Sequence, residues 1–189
     1  MRAIVMIDMQ NDFITGPLGT PEAEKALANV VTGLADFADK NTVLFYTMDT
    51  HMNEEKYRDS LEGRNLPVFH CDPHTNGWNL PDTLDREISG LYGQWAGVHS
   101  IRKAGFGSTD LAPLIGHRAS WVDEEVDEII IFGICTDICV LANAVPLRAE
   151  FLNTPIKIIV NWCAGTSVEA HECALKAMKG LNMELVWKE

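Results

Sequence analysis

Nowhere along the 189 residues do some eighteen apolar side chains, roughly a membrane span, follow one another, so no membrane-spanning helix is expected. Basic residues are scarce: 15 Lys and Arg stand against 27 Asp and Glu, a formal net charge of −12. Such a surface repels nucleic-acid phosphates and anionic lipid, and neither is expected as a partner. A cysteine framework is missing as well. The five cysteines are an odd number, and they form no second pair at zinc-finger spacing. The opening MRAIVMIDMQNDF has a short apolar run that meets acids at once, so it reads as buried strand rather than signal peptide. A reduced, cytoplasmic protein without structural disulfides is expected. Internal repeats, linkers and low-complexity segments are absent too.

What is present is a hydrophobic fraction of 47%. That suits one domain over residues 1–189 with a sizeable core. Continuous apolar runs at Ala3–Ile7, Thr42–Met48, Val98–Arg102, Glu128–Ile134, Ile156–Val160 and Glu184–Trp187 predict six strands, mostly covered on both faces. Helices are predicted between them. One opens at Thr20-Pro21-Glu22, with a capping hydroxyl, proline in the first turn and acids behind it. Others cover the short stretch STDLAPLIG from Ser108, then Asp137–Phe151, then a segment starting at Ser167. Alternation of this kind predicts a three-layer α/β fold: a mostly parallel six-stranded sheet with helices on both faces. The segment from Asp49 to about Ser89 is only weakly periodic, and so long an irregular stretch is usually functional.

Ligands of such sheets bind beyond the carboxyl ends of the strands. Those ends carry Asp8, Asp49 with His51, Lys103, and Cys135 with Cys139; the fifth strand is read as ending at Asn161. The set suggests hydrolytic or acyl-transfer chemistry. Cys139 falls in the first turn of a predicted helix, where the dipole and free N–H groups favour a thiolate. Buried packing is the other role open to it. Cys71, Cys163 and Cys173 read as packing residues. Asp8 ends an apolar strand, where burial raises a carboxyl toward a usable base and a neighbouring lysine pulls it back. Lys103 alone reads as a solvated lysine; its coincidence with an acid and a thiol is what favours function. Asp49, His51 and His70 offer a carboxylate and two imidazoles, a set that suits zinc, iron(II) or manganese. A plain loop of surface histidines is the other reading, and Glu62 and His74 are not counted as ligands.

Five stretches then carry a resemblance: VMIDMQNDF (Val5–Phe13), DTH (Asp49–His51), HC (His70–Cys71), RKAGFGSTDL (Arg102–Leu111) and GICTDICV (Gly133–Val140). Together they resemble the isochorismatase-like cysteine hydrolases, particularly the nicotinamidase branch, along nearly the whole chain. The resemblance implies a Rossmann-like sheet. It implies a catalytic triad of Asp8, Lys103 and Cys139, and a divalent metal, zinc before iron or manganese, on Asp49, His51 and His70. It also implies a cis peptide between Ile134 and Cys135 that aims the backbone N–H of Cys135, beside that of Cys139, into an oxyanion hole. Phe13, Trp78 and Ile134 are the candidates for the substrate wall. The expected substrate is a small amide cleaved to acid and ammonia through a thioester, nicotinamide first. A carbamoyl or ureido substrate, or a non-catalytic metal- or ligand-binding protein, are the alternatives, and assembly with copies of itself is expected. The pattern departs from the branch in two places. LPVFH (Leu66–His70) has Pro67 and Phe69 but no tryptophan, and Asn161 stands where an aspartate is usual.

Overall fold

Six strands, β1 (Arg2–Ile7), β2 (Thr42–Asp49), β3 (Gly97–Lys103), β4 (Glu128–Ile134), β5 (Ile156–Ala164) and β6 (Glu184–Val186), form one sheet in a computed structural model that describes residues 1–188. Their order is β3-β2-β1-β4-β5-β6, and every neighbouring pair is parallel. The chain winds outward one way from β1 to β3 and the other way from β4 to β6. The two halves meet where β1 lies beside β4, with Ile7 opposite Gly133. A crevice opens at such a reversal, beyond the strand ends. The central strands are buried along almost their whole length, as strands covered on both faces must be.

The helices are α1 (Asn11–Ile14), α2 (Pro21–Gly33), α3 (Glu54–Asp59), α4 (Leu61–Asn65), α5 (Asp82–Gly90), α6 (Leu111–Trp121), α7 (Leu141–Glu150) and α8 (Val168–Gly180). They cover both faces of the sheet. Capping sets several of their starts: the Thr20 hydroxyl accepts the N–H of Ala23, and that of Ser167 the N–H of Ala170. No described helix is long and apolar enough to cross a membrane.

Strands β1, β2 and β3 run a residue beyond the sequence reading at one or both ends, and other boundaries differ as well. Strand β5 runs on to Ala164, because Asn161 is held inside the sheet region by two bonds to the Lys188 backbone, and its pairing with β4 shifts register between Ile131 and Gly133. Helix α6 begins at Leu111 and passes through Gly116 to Trp121, while Ser108 lies ahead of it and its hydroxyl accepts the Asp110 N–H. The helix expected from Asp137 starts instead as a π-helical turn, Thr136–Val140, before α7. Strand β6 stops at Val186 rather than Trp187.

Candidate active site

Gly133 brings the two central strands close enough to build the site. A Cβ there would lie 2.1 Å from the Ile7 carbonyl oxygen, and φ of +137° is open only to glycine. One residue further along β1, Asp8 takes a left-handed φ of 46° that ends the strand. Its carboxyl is fully buried. Thr47 of β2 braces it on both sides, donating from Oγ1 to Asp8 Oδ1 at 2.7 Å and accepting the Asp8 N–H at 3.2 Å. Lys103, at the end of β3, reaches across with Nζ 2.7 Å from Asp8 Oδ2 and 3.6 Å from Cys139 Sγ. It also donates to the Gly105 carbonyl at 3.0 Å and stands 3.4 Å from Asp49 Oδ1. The ammonium thus touches the acid, the thiol and Asp49 at once. Its approach to Asp8 Oδ2 is a close, fully buried ion pair.

Burial governs the protons here. It would lower the Lys103 pKa, but the carboxylate of Asp8, the thiol of Cys139 and Asp49 more than reverse that and hold the ammonium firmly charged. Burial pushes the Asp8 carboxyl up, with Lys103 opposing. Burial, with the Asp8 carboxylate beside it, also lifts the Cys139 thiol well above its ordinary range, and Lys103 offsets only part of this. A thiolate favoured by the helix start was the expectation. Desolvation opposes that effect and favours the protonated thiol.

Cys139 is presented by the π-helical turn, and the Ile134–Cys135 peptide before the turn is cis, as the resemblance implies. Buried Asn143 ties this turn to the loop after Lys103. Its Nδ2 donates to the carbonyls of Cys139 and Phe106, and its Oδ1 accepts the Ser108 N–H. Nothing in the sequence reading pointed to it, although a polar residue four places after Cys139 lies on the same helical face.

Asp49, His51 and His70 come together as expected, and Glu62 joins them; their ligand atoms lie within 4.8 Å of one another. Asp49 Oδ2 stands 3.1 Å from His51 Nε2 and 3.2 Å from His70 Nε2, while Glu62 Oε1 lies 3.4 Å and 3.8 Å from the same nitrogens. Tetrahedral zinc with bonds of about 2.0–2.2 Å places its ligands roughly 3.3–3.6 Å apart, so the donor set suits such an ion in kind and gathers close to that spacing. His70 Nδ1 faces the Val68 carbonyl at 2.8 Å, which leaves Nε2 as the inward ligand. Burial works against a proton on His51, yet the carboxylates of Asp49 and Glu62 push its pKa up to about 9; Asp49 is drawn well below the usual carboxylate range against the pull of burial by the two imidazoles and Lys103. A metal would replace that proton. Leaving Glu62 uncounted is therefore corrected. Helix α4, capped by Ser60, carries Glu62 over the histidines. His74 is exposed and belongs to no such cluster.

The opening motif braces both groups. Asp8 pairs with Lys103. Gln10 receives the Asp49 N–H and donates to the Asp49 carbonyl. Asp12 accepts the N–H of Cys71, whose own carbonyl accepts the His51 N–H.

A cavity of about 560 Å³ opens over Cys139, Cys135, Asp49, Glu62 and His70. Phe13 and Ile134 line it as expected, Phe13 packing edge-on against His70 with centroids 5.3 Å apart. Trp78 does not line it, and its place in the substrate wall is corrected. Its indole N–H donates to Thr50 Oγ1 and its ring lies under the Arg102 guanidinium, which draws it into a separate hollow on the β3 side. Among the other cysteines, Cys71 and Cys163 are buried as packing residues, but Cys173 is exposed.

An acid, a lysine and a thiol gathered at the reversal of a parallel sheet mark a cysteine hydrolase on a three-layer α/β scaffold. The chain belongs to the isochorismatase family: the isochorismatase domain model matches residues 2–187, and the relatives place it in the nicotinamidase-like branch. The nicotinamidase/pyrazinamidase of Mycobacterium tuberculosis is 30% identical over 192 residues, covering 98% of each chain. The crystal structure of a nicotinamidase from Bacillus subtilis matches with a TM-score of 0.79 at 25% identity, again over 98% of both chains. A pyrazinamidase of Pyrococcus horikoshii, crystallised in complex with zinc, shares the fold with a TM-score of 0.75 at 23% identity over 99% of each chain.

Proposed function

We propose that the protein hydrolyses a small uncharged carboxamide to acid and ammonia, with Cys139 as nucleophile and a divalent metal, zinc foremost, held by Asp49, His51, Glu62 and His70. The observation that carries this reading is Lys103 Nζ, in contact with both Asp8 and Cys139 just beneath the cavity floor that Cys139 lines. Asp8 takes the thiol proton as sulfur attacks the amide carbon, so a thiolate forms only with substrate in place. Lys103 balances the charge that passes between them. The backbone N–H groups of Cys135 and Cys139 receive the carbonyl oxygen as it becomes an oxyanion; such a donor is typically worth about 100–1,000-fold in rate. Asp8 returns its proton to the departing nitrogen, which leaves as ammonia, and a thioester remains. Water, deprotonated by Asp8, attacks the thioester, the acid departs, and the thiol regains the proton. When bound, the metal supplies Lewis acidity toward a substrate heteroatom or a water.

Residues 1–189 act as one catalytic unit, and its five unpaired cysteines suit a reducing cytoplasm. Nicotinamide and pyrazinamide, named for the relatives, are the first compounds to assay. Ammonia release by the metal-replete parent protein and none by Cys139→Ala is the expected result. Undiminished turnover by Cys139→Ala would end the nucleophile assignment.

A further inference from the structure

The cavity divides into a reactive floor and an apolar upper wall. Its floor holds Cys139, Asp49, Glu62 and His70. Above them stand Phe13, Leu18, Leu61, Leu66, Phe106 and Ile138. Leu61 and Phe106 project at the mouth, 77% and 44% exposed, with no other apolar surface covering them. The polar side chains of the rim have donors or acceptors already engaged: Thr20 accepts the Ala23 N–H, Asn65 donates to the Leu61 carbonyl, and Thr166 donates to Asp137. No lysine or arginine lines the space. The single nearby ammonium, Lys103, is buried beneath the floor against Asp8.

Two consequences follow from that partition. A cavity of about 560 Å³ is sized for a ligand well beyond one six-membered ring bearing a carboxamide. A substrate carboxylate, stripped of water there, finds no cationic side chain and faces Asp49 and Glu62. A divalent ion at the cluster would have those two carboxylates among its own ligands.

We propose that the site is built for carboxamides whose acyl group is an extended, uncharged apolar body, such as a fused aromatic or alkyl-substituted aryl group, and that it discriminates against amides carrying a carboxylate. This rests on the amide-hydrolase reading above. It separates the protein from enzymes of carbamoyl or ureido acids and ranks nicotinamide below bulkier apolar amides.

Ammonia release by the metal-replete protein tests it with nicotinamide, 2-naphthamide, and the matched pair 4-methylbenzamide and 4-carboxybenzamide. The wall predicts kcat/KM about tenfold higher for 2-naphthamide than for nicotinamide, from the added apolar area buried. It predicts at least about a hundredfold lower kcat/KM for the carboxylate than for its methyl partner, since that charge is buried without a counterion. Leu66→Lys, which puts a cation in the wall, should narrow that gap about tenfold, one favourable charge contact being worth that order; Ile138→Lys serves if the first variant does not fold. Hydrolysis of nicotinamide with none of 2-naphthamide, or equal rates for the matched pair, would overturn the proposal and leave the amide-hydrolase reading intact. No hydrolysis of any amide would bring down both.

Discussion

The site holds two buried clusters barely a side chain apart, and they are built in opposite ways. Asp8 and Lys103 sit at strand ends whose hydrogen-bonded register sets their spacing, and Cys139 follows β4 on the π-helical turn that Asn143 ties down. Asp49 and His51 also hang from a strand, but Glu62 and His70 arrive from the irregular stretch between β2 and α5. The first cluster is anchored to the sheet and sets a buried thiol beside an acid and a lysine. The second is assembled by side-chain bridges and needs a cation to complete it. Changes in the first should therefore break chemistry and fold together, and changes in the second should act mainly through metal affinity.

The largest effect is expected for Asp8→Asn, which keeps the shape but removes the base. Loss of general-base function costs about 100–10,000-fold in kcat, and metal content should stay unchanged by elemental analysis. Lys103→Met comes next and should show in stability as well. It leaves Asp8, with no exposed surface, as an uncompensated buried carboxylate, at a cost of about 3–5 kcal/mol in denaturant unfolding. Glu62→Gln should weaken metal binding about 10–100-fold in competition with a chelator, while His74→Ala leaves it unchanged. A loss of structure in Glu62→Gln equal to that of Lys103→Met would erase the contrast between the clusters.

The smallest effects concern the neighbouring cysteine and the thiol's proton. Cys135→Ala should be mild, because its proposed part is a backbone N–H that alanine retains. Alkylation of Cys139 by iodoacetamide, followed on its own peptide, should still be accelerating at pH 9. Its thiol is raised above the ordinary range by burial, so the thiolate fraction grows with pH throughout that window. A plateau below pH 7 would mean a preformed thiolate.

The contrast between the clusters also separates what the sequence made legible from what it hid. Strand ends can be read from apolar runs, so the places of Asp8, Asp49 and Lys103 were legible, while the joint role of Asp8, Lys103 and Cys139 rested on the family resemblance. Glu62 was not, because its place depends on how two short helices fold back over β2. Trp78 was misplaced for a related reason: being aromatic and near the site in sequence says nothing of which side its N–H will find a partner on. Asn161 looked like a strand end because polar residues usually break apolar runs, whereas its bonds to Lys188 keep it within β5. The upward push of burial on the Cys139 thiol was hidden as well, since the helix start is visible in sequence and the extent of burial is not.

The central claim is that sulfur of Cys139 becomes bonded to the acyl group. Acid-quenched intact mass spectrometry during turnover of a slowly hydrolysed amide tests it directly. The account predicts a mass gain equal to the acyl group, mapped to the peptide containing Cys139 and absent in Cys139→Ala. Steady turnover with the adduct on another residue, or retained by the Cys139→Ala protein, would contradict it.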